Sequence, residues 1–526
     1  MKKHNTIKVV LITILVLLLL TWIIPAAYYS GQVVDQGRVQ MGLFDLFNYP
    51  LTAISYFGYI GLFLILVGGF YGILYKIPAY RSFLDRVVNV AKKNEAVALS
   101  IMVVVIALLV SICGVQIAIA LFIPFIIAVI TLMGYDKIVA GLVTVGSITA
   151  GLIGSTFAYS NTSVLTTTLA LKNDYQIGVR FVILLVGVVL VIFNTLMYIK
   201  ANGKVKITDK VEKDIKEVEE KVAEVKKEVA KKVATAKKTT AKKTTTKKST
   251  AKKSTSSKSR KSVNKAALID EDVIVVPKKV LGNHKIWPFV VAFSLLFVVF
   301  VLAFITWGEN GFGIKFFDEL TKSTQEYELF KFPIFAKVLG TFNSFGNWSV
   351  SDMFLPMFLT IVLLVLIYKV KLDDVFDGFV EGAKKALAPA LVAVLVYTIL
   401  VVVTYHPFQL TVYKAILGLT KGFNIVTTTL VAIISSILNV DAAYSFQSVI
   451  PYYASVVTKA SNYPLVAIIF QTMYGLVMLV APTSLILMAT LSYLKVSYKD
   501  WLKNVWKLLL ELFVILLIIF IVLALL

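Results

Sequence analysis

The chain has 526 residues, is 58% hydrophobic and only 16% charged, and has a mean hydropathy of +0.84. Soluble domains run nearer half apolar with about a quarter of their residues charged, so this composition belongs to a polytopic membrane protein. The net charge of +23 sits largely in one segment, residues 201–285, with 25 Lys/Arg against 11 Asp/Glu and a net of +14, which excludes nucleic-acid binding as a whole-protein property.

Met1 to Lys8 is short and basic, and Val9 to Ala27 is long enough to cross a bilayer, which takes ~20 residues. Pro25-Ala26-Ala27 imitates a signal-peptide cleavage region. The run is long for such a leader and Trp22 reads as an interfacial anchor, so a retained first helix with its N-terminus inside is expected. Ala53 to Leu74 is the next span and ends in Gly68-Gly69-Phe70-Tyr71-Gly72. Tyr75 to Glu95 carries five Lys/Arg and reads as a cytoplasmic amphipathic helix lying along the membrane.

A dense hydrophobic block runs from Ala96 to Lys200. It is broken first at Ser111 to Gln116, where an amide in hydrocarbon surroundings either lines a cavity or bonds between helices. Pro124 follows, then Gly146 to Val164, with three glycines and the hydroxyl and amide side chains of Ser155, Thr156, Ser160, Asn161 and Thr162. An unmet backbone polar group in lipid costs several kcal/mol, so a break here survives only inside protein or beside a wet cavity. There its freed carbonyls and amides can hold an ion or a small polar solute. A small-residue stripe packing two helices is the competing reading.

Within 201–285, Val211, Ile215, Val218, Val222, Val225 and Val229 form a short heptad seam, equally readable as a solvated charged helix. Lys231 to Ser262 contains Lys, Ser, Thr and Ala repeats without one acidic residue, a composition that cannot bury a core. It is expected to be a cytoplasmic tether drawn to anionic lipid, with any nucleic-acid contact nonspecific. Six crossings are expected before this insert and five after it.

After it come the span Ile286 to Trp307, a polar-aromatic loop to Ser351, and the spans Met353 to Tyr368 and Leu387 to Thr404. His406 beside Pro407 reads as interfacial. Ile425 to Asn439 leads to Asp441, Ser445, Gln447 and Pro451. Tyr463 to Leu494 is a long apolar stretch holding Gln471 and the helix-breaking Pro482-Thr483-Ser484. A last helix closes the chain.

Both halves repeat one order: a polar tip, a proline-bearing apolar helix, then an interrupted helix with hydroxyl residues. Gln116, Pro124 and Ser160-Asn161-Thr162 answer to Gln447, Pro451 and Pro482-Thr483-Ser484. Matched interruptions in halves of opposite orientation predict an all-α polytopic membrane protein of the inverted-repeat transporter kind. The expected division is residues 1–200, first repeat with an extra N-terminal helix; 201–285, cytoplasmic insert; and 286–526, second repeat.

On Leu19 to Ala26, Leu66 to Gly72, Gly151 to Thr156, Phe379 to Lys384, Pro482 to Ser484 and Lys495 to Tyr498, the chain resembles the YfcC-like branch of the C4-dicarboxylate anaerobic carrier family, in the ion transporter superfamily. The resemblance covers nearly everything but the lysine-rich insert. It implies a secondary transporter with re-entrant hairpins and discontinuous helices, an anionic or amino-acid substrate, and a homodimer. Ser160-Asn161-Thr162 also looks like the Ser-Asn-Thr signature of related sodium/dicarboxylate carriers. Two departures fall where substrate would be read: Tyr444 to Ser448 replaces a glycine-rich tip, and no acidic residue lies between Gln116 and Pro124.

The expected function is alternating-access transport of a small carboxylate-bearing solute, an amino acid or a dicarboxylate. The expected binding set is Gln116, Gly154, Ser155, Thr156, Ser160, Asn161, Thr162, Ser445, Gln447, Gln471, Pro482, Thr483 and Ser484. Asp441 is the acidic residue for coupling to Na+ or H+ or for pairing a cationic substrate, and otherwise an exposed helix-end residue. No cofactor is expected. The single cysteine, Cys113, and the scattered His4, His284 and His406 offer neither a disulfide nor metal-ligand spacing. The alternative is a channel or a non-transporting scaffold whose lysine-rich insert recruits anionic partners. No nucleotide loop or nucleophile–base pair points to an enzyme.

Overall fold

The computed structural model describes residues 5–114, 117–204 and 285–526. Gln116, the heptad seam and the lysine-rich tract fall outside the described residues. The described body is all-helical apart from one two-stranded hairpin, β1 (Ala26–Tyr29) and β2 (Val33–Gly37), in the polar loop after the first helix.

Helix α1 (Asn5–Ile23) buries Val10, Ile14 and Leu17 on one stripe, and Asn5 accepts a hydrogen bond from the Tyr498 amide. The first helix is thus packed into the body. Helix α2 (Asp45–Leu74) returns to the starting face. There α3 (Pro78–Ala91) is amphipathic as its spacing predicts, with Tyr80, Leu84 and Val88 inward.

Helix α4 (Glu95–Cys113) then rises and α5 (Ile123–Leu132) comes back, and α6 (Lys137–Ile153, with a π-helical turn at Leu142–Gly146) rises again. Two contacts fix this course. The Tyr135 hydroxyl donates to Glu95 at the bottom (2.6 Å), and Thr156 N–H donates to the Ser111 carbonyl at the top (2.8 Å). Helices α4 and α6 are therefore parallel, and α4–α5 is a re-entrant hairpin. Helix α7 (Tyr159–Thr168) continues beyond a break, and α8 (Ile177–Asn202) descends.

The second part opens with α9 (Trp287–Phe304), and a loop bearing α10 (Phe316–Glu326) and α11 (Ile334–Leu339) precedes α12 (Phe354–Tyr368). From α13 (Leu372–Tyr405) onward the first pattern recurs upside down. A short surface helix, α14 (Gln409–Leu417), answers to α3. Helices α15 (Ile425–Leu438), α16 (Ala442–Gln447) and α17 (Ile450–Val456) make the second hairpin. Helices α18 (Tyr463–Val477) and α19 (Leu485–Leu494) make the second broken helix, and α20 (Tyr498–Leu525) answers to α8. Among the described residues before 203, four helices are long and apolar enough to cross a membrane, and two shorter apolar helices, α5 and α6, stand with them where six crossings are expected. The α4–α5 pair turns back at its tip, and four further helices long and apolar enough to cross a membrane follow residue 285.

The long helices α2 and α13 pack through Gly68 and Gly72 against Gly378 and Gly382. A Cβ added at Gly72 would lie 2.0 Å from the Gly378 carbonyl oxygen, and one at Gly382 would lie 2.0 Å from that of Gly68. Backbone meets backbone with no side chain between, the close approach that small residues four apart allow in a membrane.

Candidate functional site

At the first break α6 stops being helical at Gly154, and α7 does not begin until Tyr159. The carbonyls from Leu152 to Thr156 each find a donor. That of Leu152 takes the Gly154 and Ser155 amides, and that of Gly154 takes the Ser111 hydroxyl (2.7 Å). The Ile153 and Ser155 carbonyls accept from Gln471 Nε2 (3.3 and 3.0 Å). Ser155 also accepts from Arg180 Nε (2.6 Å), and the Thr156 carbonyl from Arg180 Nη2. The Thr156 hydroxyl meets that of Ser111 at 3.0 Å, latching the hairpin tip to the break. At that tip Gly114 has φ +70°, and a Cβ there would stand 2.1 Å from Ser160 Oγ, so glycine is required on both counts.

The second break, between Val477 and Leu485, is built on the same plan. The Thr483 hydroxyl donates to the Ile437 carbonyl of the second hairpin (2.9 Å), and Ser484 caps α19 by accepting from Leu487 N–H (3.4 Å). The Leu479 carbonyl accepts from Trp501 Nε1 (2.9 Å) and the Val480 carbonyl from the Tyr498 hydroxyl. The second hairpin tip is closed by Asn439, donating to the Ser435 carbonyl (2.8 Å), and by Asp441, which accepts from Tyr444 N–H (3.0 Å) and starts α16.

Both hairpin tips and the first turns of the helices that follow the two breaks border one cavity of about 370 Å³. Its walls include Gly114, Ser160, Asn161, Asp441, Leu485 and Tyr397, and residues of the loop before α12 border it. Asp441 is the one charged side chain among the described residues that line it. No side chain caps the N-terminus of α7, and Asn161 in its first turn is buried with its amide nitrogen unpartnered. Two helix N-termini, those of α7 and α19, thus present Asn161, Ser160 and Leu485 to the cavity, and the positive ends of helix dipoles favour negative charge. The wall thus combines two helix N-termini with one carboxyl group, that of Asp441.

The expected binding residues, Gln116 apart, separate into four groups. Ser160, Asn161 and Asp441 line the cavity. Gly154, Ser155, Thr156, Gln471, Thr483 and Ser484 hold the breaks in shape, with Pro482 in the second break. Thr162, which donates to Asn173 Oδ1 (2.9 Å), and Ser445, bonded to Ser435 (3.2 Å), brace the elements behind the wall. Gln447 is exposed and lines no part of the cavity. His406 bridges the Tyr49 hydroxyl (2.7 Å) and the Val39 carbonyl (2.6 Å).

Arg180 escaped the sequence reading. It is fully buried and lies over the Tyr175 ring at 4.4 Å, while the Tyr175 hydroxyl donates to Gln471 (2.8 Å). An arginine three residues into an apolar helix is the signal that could have found it, because ionisable groups at membrane depth are rare without a task. Ser111 is marked in the sequence only as the start of an interruption, not as a residue that bonds to the first break.

The profile of the DcuC family, described as C4-dicarboxylate anaerobic carrier, matches residues 4–525. Comparison with curated proteins and with solved structures returns no match. With hairpins and broken helices around one cavity, and a family profile spanning nearly its whole length, the chain belongs to the C4-dicarboxylate anaerobic carrier family of multi-pass membrane transporters.

Proposed function

We propose that the protein is a secondary active transporter that moves a small carboxylate-bearing solute, a dicarboxylate or an amino acid, across the cell membrane by alternating access, ion-coupled or by exchange. The observation that carries this reading is one cavity shared by an unpartnered buried amide, Asn161, and a lone carboxylate, Asp441. Asn161, Ser160 and the N-terminus of α7 hold a substrate carboxylate. Asp441 holds what balances it, either a substrate amine or a coupling H+ or Na+. A smaller cavity of about 60 Å³ lies toward the opposite face, between Tyr71, Pro124 and Tyr493, and Ile486 borders both. A wide space on one side of a thin apolar partition and a narrow one on the other supports alternation between faces.

Residues 1–200 and 286–526 act in this reading as the two inverted repeats. The N-terminus and residues 201–285 lie in the cytoplasm, by the positive-inside rule. Lys231–Ser262 attracts anionic lipids, and the working unit is a homodimer.

Uptake of labelled succinate, arginine and ornithine into proteoliposomes, with imposed sodium and proton gradients, tests the proposal. Gradient-dependent uptake is expected for at least one solute. Asp441→Asn is expected to lower uptake by roughly thirtyfold, the equivalent of about 2 kcal/mol for a lost buried charge contact. Absence of uptake for every solute and gradient, or a conductance indifferent to solute, would sink it. Deleting Lys231–Ser262 is expected to abolish binding to anionic vesicles and to leave uptake intact.

A further inference from the structure

The guanidinium of Arg180 occupies the position where a broken membrane helix ordinarily offers oxygens to a free cation. Unwound carbonyls and helix C-terminal ends bind monovalent cations because their partial negative charge replaces the hydration shell. Here the C-terminal end of α6 supplies that charge, and Arg180 takes it up. Nε donates to Ser155 O (2.6 Å), Nη2 to Thr156 O, and Nη1 to Asn173 O (2.6 Å) and Tyr175 O (3.3 Å). Every one of these acceptors is a backbone carbonyl. Asp174 in the same loop is exposed and is not among the hydrogen-bond partners. A buried cation without a hydrogen-bonded carboxylate draws its counter-charge from longer range, here from the nearby Asp174 carboxylate and from the carbonyl end of α6.

We propose that Arg180 is a built-in cation that permanently fills the ion position of the first break, so that no free monovalent ion binds the Ser155 and Thr156 carbonyls. Arg180 is a positioning residue: it sets the charge and shape of the break and touches no substrate. It confines any coupling ion to the other half of the site, where Asp441 and the second break lie. At that break the hydrogen bonds to the Leu479 and Val480 carbonyls come from Trp501 and Tyr498, which are neutral. The Ser155 hydroxyl is buried and unpartnered. Once the guanidinium is removed, it and the two carbonyls beside it form a vacated oxygen cluster able to take a small cation.

The proposal rests on the carrier reading for its meaning in ion coupling, but its test does not. Thermal unfolding of the purified full-length protein is measured in choline, sodium and dilute guanidinium chloride for wild type, Arg180→Ala, Arg180→Gln, Arg180→Lys and Trp501→Phe. The expected result is that Arg180→Ala and Arg180→Gln gain several degrees in Tm from sodium or guanidinium relative to choline. Arg180→Lys and Trp501→Phe should respond as the wild type does. In proteoliposomes, whatever uptake the Ala variant retains should be restored in part by guanidinium. An unchanged cation response in both neutral variants overturns the proposal. If the neutral variants fail to accumulate, accumulation of the Lys variant alone supports a need for charge. Accumulation of Gln in preference to Lys would mean that hydrogen-bond donors suffice, and would overturn it. A failed uptake assay with an intact cation response counts against the carrier reading alone.

Discussion

At the first break the following helix, α8, sends a guanidinium into the freed carbonyls; at the second, α20 sends an indole and a phenol into the equivalent gap. The donors stand at matching places, near the start of the helix that follows each broken one. The same backbone problem has been solved twice, once with a fixed charge and once without. Fold symmetry is therefore kept while electrostatic symmetry between the two breaks is lost.

The largest expected effect comes from removing the charged solution. Arg180→Leu strips donors from the Thr156, Asn173 and Tyr175 carbonyls, while Ser155 keeps Gln471, at about 1–3 kcal/mol for each carbonyl left unmet. The expected outcome is loss of folded protein, read as aggregated material by size-exclusion chromatography in detergent. Gln471→Leu should come next, since Gln471 ties the second broken helix to the first through Ser155, Ile153 and Tyr175. A destabilisation of about 2–3 kcal/mol is expected, measured as a lowered Tm. Trp501→Phe strips one donor from the neutral side and should cost about 1–2 kcal/mol. Were it to cost as much as Arg180→Leu, the contrast between the breaks would not be one of charge. Ser484→Ala removes the α19 cap at about 1 kcal/mol. It sharpens the comparison because α7 lacks an equivalent cap and leaves its first turn to the cavity.

The sequence announced the breaks because glycine, proline and hydroxyl residues interrupt runs otherwise apolar enough to span a membrane. It also announced the order of elements in each half. Hairpins were harder to see: α4 has the length and hydropathy of a full crossing, and only its contacts with α6 show that the chain turns back. The candidate site was legible in Ser160, Asn161 and Asp441, polar residues with no reason to lie between apolar segments. Ser155, Thr156, Gln471 and Thr483 look the same in sequence, yet their partners come from other helices, up to 318 positions away for Gln471. Whether a polar side chain faces a cavity or a carbonyl is decided by a neighbour that periodicity does not name. Gln447 shows the converse, a polar residue matched by order alone that ends on the surface.

The seam between α2 and α13 bears on motion. Carbonyl oxygens there rest against the opposing glycine backbone, with no methylene groups to compress or re-rotamerise as one helix slides over the other. Such a contact behaves as a weld rather than a bearing. For the cavity to exchange the face it serves, the displacement must be carried by the hairpins and broken helices around that fixed axis, and a bulky residue at Gly72 should jam assembly of the axis before it touches any step of turnover.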